Sequence, residues 1–151
     1  MRDGAIDEVV RQVLDAFRPT FSERGIEVRT GLNASEPVMI DADLVDQVTG
    51  NLLSNAEKYA ASGRLVEIET GQSDGQAWIR VRDFGPGIKS GDRPRLFRQF
   101  ERFHTAVTDA VGGTGLGLYL SRTLARRHGG DLILEETETG CSFLFTFKAA
   151  S

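Results

Sequence analysis

Three stretches of this sequence combine residue types and spacings suited to holding a charged, phosphate-bearing ligand. Asp83-Phe84-Gly85-Pro86-Gly87 follows an alternating run of apolar residues. Its carboxylate is therefore expected at the end of a strand, a fixed hydrogen-bond acceptor beside glycines that permit turns and close ligand approach. Gly112-Gly113-Thr114-Gly115-Leu116-Gly117-Leu118 leads into a helical pattern. Free N–H groups and the positive dipole end of a helix favour phosphate there, and bare glycine backbone lets it come close. The run is not a P-loop, which ends in Gly-Lys-Ser/Thr, nor a dinucleotide fingerprint, whose third glycine falls at Leu118. The third stretch is a stripe of Gln47, Asn51, Asn55 and Lys58, four polar groups on one arc of a helix. Taken singly, each has a bland reading: a turn-initiating Asp, a flexible hinge, a solvated helix face.

The elements that must carry these groups follow from periodicity. Ile6, Val9, Val10, Val13, Leu14 and Phe17 make a helical stripe that stops near Arg24-Gly25. Residues 26–29 and 38–40 read as a β-pair. Asp41 caps a second helix to about Ala60, with Val45, Val48, Leu52, Ala56 and Tyr59 on its buried face. Two alternating runs, 65–70 and 77–83, flank Ser73-Asp74-Gly75-Gln76 and predict a tight hairpin. Residues 83–91 and 104–115 read as loops around Leu96-Phe97-Arg98-Gln99-Phe100. Thr114 caps a third helix with Leu116, Leu120 and Leu124 on one side, ended by Gly129-Gly130. A last hairpin, 131–136 with 141–147 around Gly140, projects Phe143, Phe145 and Phe147 to one side. Helices and hairpins with one apolar face each predict an α/β (α+β) two-layer sandwich: a mixed, mostly antiparallel sheet of about five strands on three helices.

Composition narrows the class. A chain of 151 residues, 40% hydrophobic and 26% charged, suits one globular domain, 1–151, with no internal repeat. A net charge of −4 gives no general attraction to nucleic acid. The single Cys141 cannot form an internal disulfide, which fits a reducing, cytoplasmic setting. No apolar run approaches the about 18–20 residues that span a bilayer, so no membrane contact is expected of this domain, although a parent protein could be anchored.

In content, order and spacing, Asn51-Leu52-Leu53-Ser54-Asn55-Ala56-Glu57-Lys58-Tyr59, then DFGPGI, LFRQFERF and GGTGLGLYLSRTLARRHGG, resemble the N, G1, F and G2 boxes of the catalytic domain of sensor histidine kinases. That domain shares an ATP-binding superfamily, of Bergerat-type fold, with DNA gyrase, Hsp90 and MutL. The resemblance implies a domain that binds ATP and Mg²⁺ and phosphorylates a histidine. Asn55 would give Mg²⁺ its amide oxygen, with Asn51 assisting; Lys58 would meet a phosphate and Tyr59 the adenine. Asp83 would accept from the adenine amino group, and Gly85, Gly87 and Ile88 would shape that pocket. Gly113, Thr114, Gly115, Leu116, Gly117 and Leu118 would cradle the phosphates beneath a lid at 104–111. Arg102 would contact the terminal phosphate, with Arg98 a weaker candidate, while Phe97, Phe100 and Phe103 anchor the loop.

In the gyrase-like branches a glutamate stands in the place of Asn51 and activates water, which a neutral amide cannot do. Glu57, the one nearby carboxylate, lies on a different arc. Transfer to a histidine is therefore expected over hydrolysis, with a non-catalytic nucleotide-binding module as the alternative. His104 falls in the lid and His128 at the end of the third helix, so neither resembles the phosphoacceptor. The implied partner is a histidine-containing dimerisation domain, and through it a response regulator; the isolated chain is expected to be a monomer.

Overall fold

The computed structural model describes residues 2–59, 64–85, 117–135, 137 and 139–149. In chain order these form β1 (Arg2–Ala5), α1 (Ile6–Glu23), β2 (Glu27–Asn33), β3 (Pro37–Ile40), α2 (Ala42–Tyr59), β4 (Leu65–Ser73), β5 (Gln76–Asp83), α3 (Gly117–Arg127), β6 (Asp131–Glu135) and β7 (Ser142–Lys148). Five strands make one sheet in the order β2-β4-β5-β7-β6. Only the β2–β4 pair is parallel. The three helices cover one face, giving the expected two-layer sandwich.

Alternation along the central strands explains that one-sided burial. Val66, Ile68, Ile79, Val81, Phe143, Phe145 and Phe147 point into the layer between sheet and helices, where all are nearly inaccessible. Val10, Val13 and Leu14 of α1 and Val45, Val48, Leu52 and Leu53 of α2 meet them. The opposite face is polar. Arg80 holds Glu135 through two bonds, Nε to Oε1 at 2.7 Å and Nη2 to Oε2 at 3.2 Å, and Ser142 donates to the same carboxylate. Between β4 and β5 the Asp74-Gly75 turn has φ of +52° and +78°, the geometry that the Asp-Gly pair predicts.

The β-pair expected from 26–29 and 38–40 does not form. β2 instead lies parallel to β4, and β3 pairs antiparallel with β1, a strand too short to carry a periodic signal. The cause is a buried anchor between β2 and β3. Asp7, 1% exposed in the first turn of α1, accepts the Ala34 N–H with Oδ2 at 3.0 Å and the Thr70 hydroxyl with Oδ1 at 2.6 Å. Its own N–H donates to the Ala34 carbonyl at 3.1 Å. The same Thr70 hydroxyl accepts the Asn33 N–H at 2.8 Å. These bonds hold the chain at the end of β2 against α1 and β4, so it leaves the five-stranded sheet before β3.

The third helix packs through small side chains. Leu120 is 42% exposed and Leu124 only half-buried, whereas Ser121 and Ala125 are fully buried. Small side chains four residues apart let α3 approach α2 and the sheet more closely than a leucine row would.

Removing the Asp7 carboxylate leaves a buried hydroxyl and a buried N–H without their acceptor. Hydrogen bonds to charged groups contribute roughly 1.5–3 kcal/mol. Asp7→Ala is expected to lose about that much in denaturant unfolding, and unchanged stability would show the anchor to be dispensable.

Candidate functional site

Asp83 ends β5 where the sheet meets α2, and only 3% of it is exposed. Three backbone features fix it. Its N–H donates to the Cys141 carbonyl at 2.8 Å, while its Oδ1 accepts the Gly85 N–H at 3.0 Å. Gly140, at φ +68°, lies so close that a Cβ there would stand 2.0 Å from the Asp83 carbonyl oxygen. The hairpin of β6 and β7 can clamp the end of β5 only because residue 140 is glycine. Arg82, the residue before, places its guanidinium 4.4 Å from the Phe84 ring.

Burial pushes the Asp83 carboxyl up to about 6 from an ordinary 3.8, against the lowering effects of backbone hydrogen bonds from Gly85 and Cys141 and the nearby Arg82 charge. A buried carboxyl that ionises around pH 6 is an acceptor for a ligand N–H at neutral pH. Gly85 itself is buried, as a residue shaping the floor of such a pocket would be.

The polar stripe of α2 is half-buried at Asn51, Asn55 and Lys58 and exposed at Gln47. Helix propagation sets this arc beside the apolar one that packs on the sheet. Asn51 donates from Nδ2 to Ser121 Oγ on α3 at 2.8 Å. Among the described residues Asn51 Oδ1, the Asn55 amide and the Lys58 ammonium have no hydrogen bond or ion pair, so these groups are available to a ligand. Glu57, by contrast, turns toward the end of α1, where Oε1 meets Arg24 Nε at 3.2 Å.

A second tether joins α2 and α3. Asp41 caps α2 by accepting the Leu44 N–H at 3.1 Å, and its other oxygen lies 3.2 Å from His128 Nε2. His128 Nδ1 is 2.9 Å from the Leu124 carbonyl, so both ring nitrogens are engaged within the fold. At the other end of α3, a Cβ on Gly117 would meet no atom of the described residues within 4 Å. Leu118, assigned to the ligand by resemblance, packs partly against the core.

The described structure places Asn51, Asn55 and Lys58 on α2, Asp83 and Gly85 at the end of β5, and Gly117 and Leu118 on α3, and both β5 and α3 pack against α2. Gly87, Ile88, Arg98, Arg102, Gly113, Thr114, Gly115, Leu116, the lid with His104 and the anchoring phenylalanines lie outside the described residues, as does the Tyr59 side chain. Sequence reasoning missed Ser121 and Gly140 as site residues. The Ser121/Ala125 spacing was a signal for close helix packing; the contact of Gly140 with Asp83 is set by β7 pairing with β5 and had no local signal.

Comparison with known proteins places this geometry. The family described as "Histidine kinase-, DNA gyrase B-, and HSP90-like ATPase" matches residues 40–151. The sensor-like histidine kinase SenX3 of Mycobacterium tuberculosis is 32% identical over 99% of this chain and 37% of its own length. The sensor protein CutS of Streptomyces coelicolor is 34% identical over 88% of this chain and 32% of its own. The mycobacterial sensor histidine kinase MprB superposes with a TM-score of 0.83 at 25% identity, over 99% of both chains. Full-length ShkA, solved in complex with AMPPNP, gives 0.83 at 27% identity, over 99% of this chain and 31% of that one. The family match over this sandwich defines an ATP-binding domain. The chain belongs to the histidine kinase, DNA gyrase B and HSP90-like ATPase family, and SenX3 and MprB among its relatives are named as histidine kinases. It spans about a third of the length of these curated relatives. No helix among the described residues is long and apolar enough to cross a membrane.

The raised pKa of Asp83 has a defined sign. The folded state holds this proton more tightly than the unfolded chain, whose carboxyl titrates near 3.8. This group's contribution to stability therefore falls as pH rises from roughly 4 to 6 and stays low above that window. Asp83→Asn should remove that component. The stability difference between variant and wild type, followed by denaturant unfolding, is expected to shift in favour of the variant by up to about 3 kcal/mol across this range. A pH-independent difference would contradict the buried-carboxyl account.

Proposed function

We propose that this chain binds Mg-ATP and transfers its γ-phosphate to a histidine on a separate dimerisation domain, as a step of two-component signalling. The observation that carries the proposal is Asp83, a buried carboxylate clamped at a strand end next to a half-buried amide stripe. At neutral pH it would accept from the adenine amino group; guanine offers a carbonyl oxygen in that place and would leave two acceptors facing each other. Sensor kinase relatives over nearly the whole chain, and a neighbour in complex with the ATP analogue AMPPNP, support the same reading.

The residues present fit a magnesium ion held mainly by phosphate and water. Asn51 has its amide nitrogen engaged and its oxygen available, and Asn55 lies one turn away on the same arc. Carbonyl-type oxygens are modest ligands for a hard cation that keeps several waters. Bound there, Mg²⁺ would offset phosphate charge. Lys58 would meet a phosphate as a point charge, Gly113 to Gly117 would give it backbone N–H groups, and Arg102 would hold the terminal phosphate by charge-assisted hydrogen bonds.

Hydrolysis is disfavoured by what surrounds the stripe. Asn51 cannot take a proton from water, and Glu57 is committed to Arg24. With both nitrogens of His128 engaged, the acceptor histidine belongs to another domain. In this reading the domain is a cytoplasmic monomer whose parent supplies dimerisation, and it reaches a response regulator only through the phosphorylated histidine.

Calorimetry of this chain with ATP, GTP and Mg²⁺ tests the nucleotide reading. ATP is expected to bind in preference to GTP, at least tenfold more weakly in Asp83→Asn, and without Mg²⁺ dependence in Asn55→Ala. Absence of binding at millimolar ATP would leave a non-catalytic interaction module as the better account.

A further inference from the structure

The contact between Asn51 and Ser121 joins the candidate metal-binding arc to the helix that follows the glycine-rich run. Ser121 is fully buried, one turn into α3, on the small-residue face that lets this helix come close to α2. The Asn51 amide nitrogen donates to its hydroxyl oxygen at 2.8 Å, and among the described residues this is the only hydrogen bond the Asn51 side chain makes. An asparagine amide is nearly symmetric in shape but not in charge: turned over, it presents N–H donors where a cation needs an oxygen.

We propose that Ser121 is a positioning residue for metal binding, holding the Asn51 side chain against α3 by accepting from Nδ2, which leaves Oδ1 to offer to Mg²⁺. This rests on the Mg-ATP reading above and adds to it a residue outside the ligand set. The same bond ties the orientation of that amide to the seating of α3 on α2, so nucleotide phosphate at the start of α3 and metal at Asn51 share one support. Outer partners that orient a ligand commonly change metal affinity by about 10–100-fold when removed.

The test titrates Mg²⁺ into the chain holding ATP, by calorimetry, and measures ATP binding separately in EDTA. Ser121→Ala removes the acceptor; Ser121→Cys keeps nearly the same volume with a much poorer one and guards against loss of packing. Both variants are expected to weaken the Mg²⁺ response about tenfold, with ATP affinity in EDTA and thermal unfolding of the Cys variant close to wild type. In an Asn51→Ala background, Ser121→Cys should add no further loss. A Cys variant with a wild-type Mg²⁺ response would assign Ser121 to packing and overturn the proposal, as would an equal loss in the Asn51→Ala background. ATP binding that is independent of Mg²⁺ in the wild-type chain would instead overturn the metal reading itself, and this inference with it.

Discussion

The candidate site depends on three different parts of the α2 surface. Val45, Val48, Leu52 and Ala56 are buried in the core, and burial at roughly 25 cal/mol per Å² of apolar surface is the force that seats the helix on the sheet. Once it is seated, helical geometry leaves Asn51, Asn55 and Lys58 on an arc beside the buried one, half-covered near the end of β5. The third surface faces α3 and is held by two polar tethers, Asp41 to His128 and Asn51 to Ser121. Moving the apolar stripe by one residue would rotate the amides by about 100°. The chemistry of the site is therefore set by packing that does not itself touch a ligand.

Asp83 represents the opposite requirement, a charge placed where folding disfavours it. Its carboxyl is raised to about 6 because desolvation outweighs the hydrogen bonds and the nearby Arg82. The sheet tolerates this because the Cys141 carbonyl, the Gly85 N–H and the absent side chain of Gly140 hold the strand end in place. A buried acceptor with unused capacity discriminates between ligands more sharply than an exposed one, since a ligand without a matching donor leaves it unpaired. Asp7 is buried to the same degree and has both oxygens paired with groups of the fold.

Much of this was legible in the sequence where the determinant is local. Period-two and helical patterns located the main elements, with β2 and β4 running three or four residues past their expected ends, as well as the Asp-Gly turn and the cap at Asp41, and Asp83 and the Asn stripe fell on the elements expected. The misreadings were non-local. Residues 26–29 and 38–40 look like partners because they are close in sequence, yet Asp7 and Thr70, 27 and 37 or more residues away from the groups they hold, divert the chain between them. Gly140 reads as an ordinary turn glycine until β7 is paired with β5 and brings it against Asp83.

The central claim, transfer to histidine rather than to water, is tested most directly by following the γ-phosphate. The chain would be incubated with γ-labelled Mg-ATP and a separately purified histidine-bearing dimerisation domain from a sensor kinase, with wild-type and His→Ala acceptors in parallel. The account predicts acid-labile label on the wild-type acceptor, none on the His→Ala acceptor or on this chain, and free phosphate released only slowly. Rapid release of free phosphate without labelled acceptor would contradict it, and would place the domain with the hydrolases of its family.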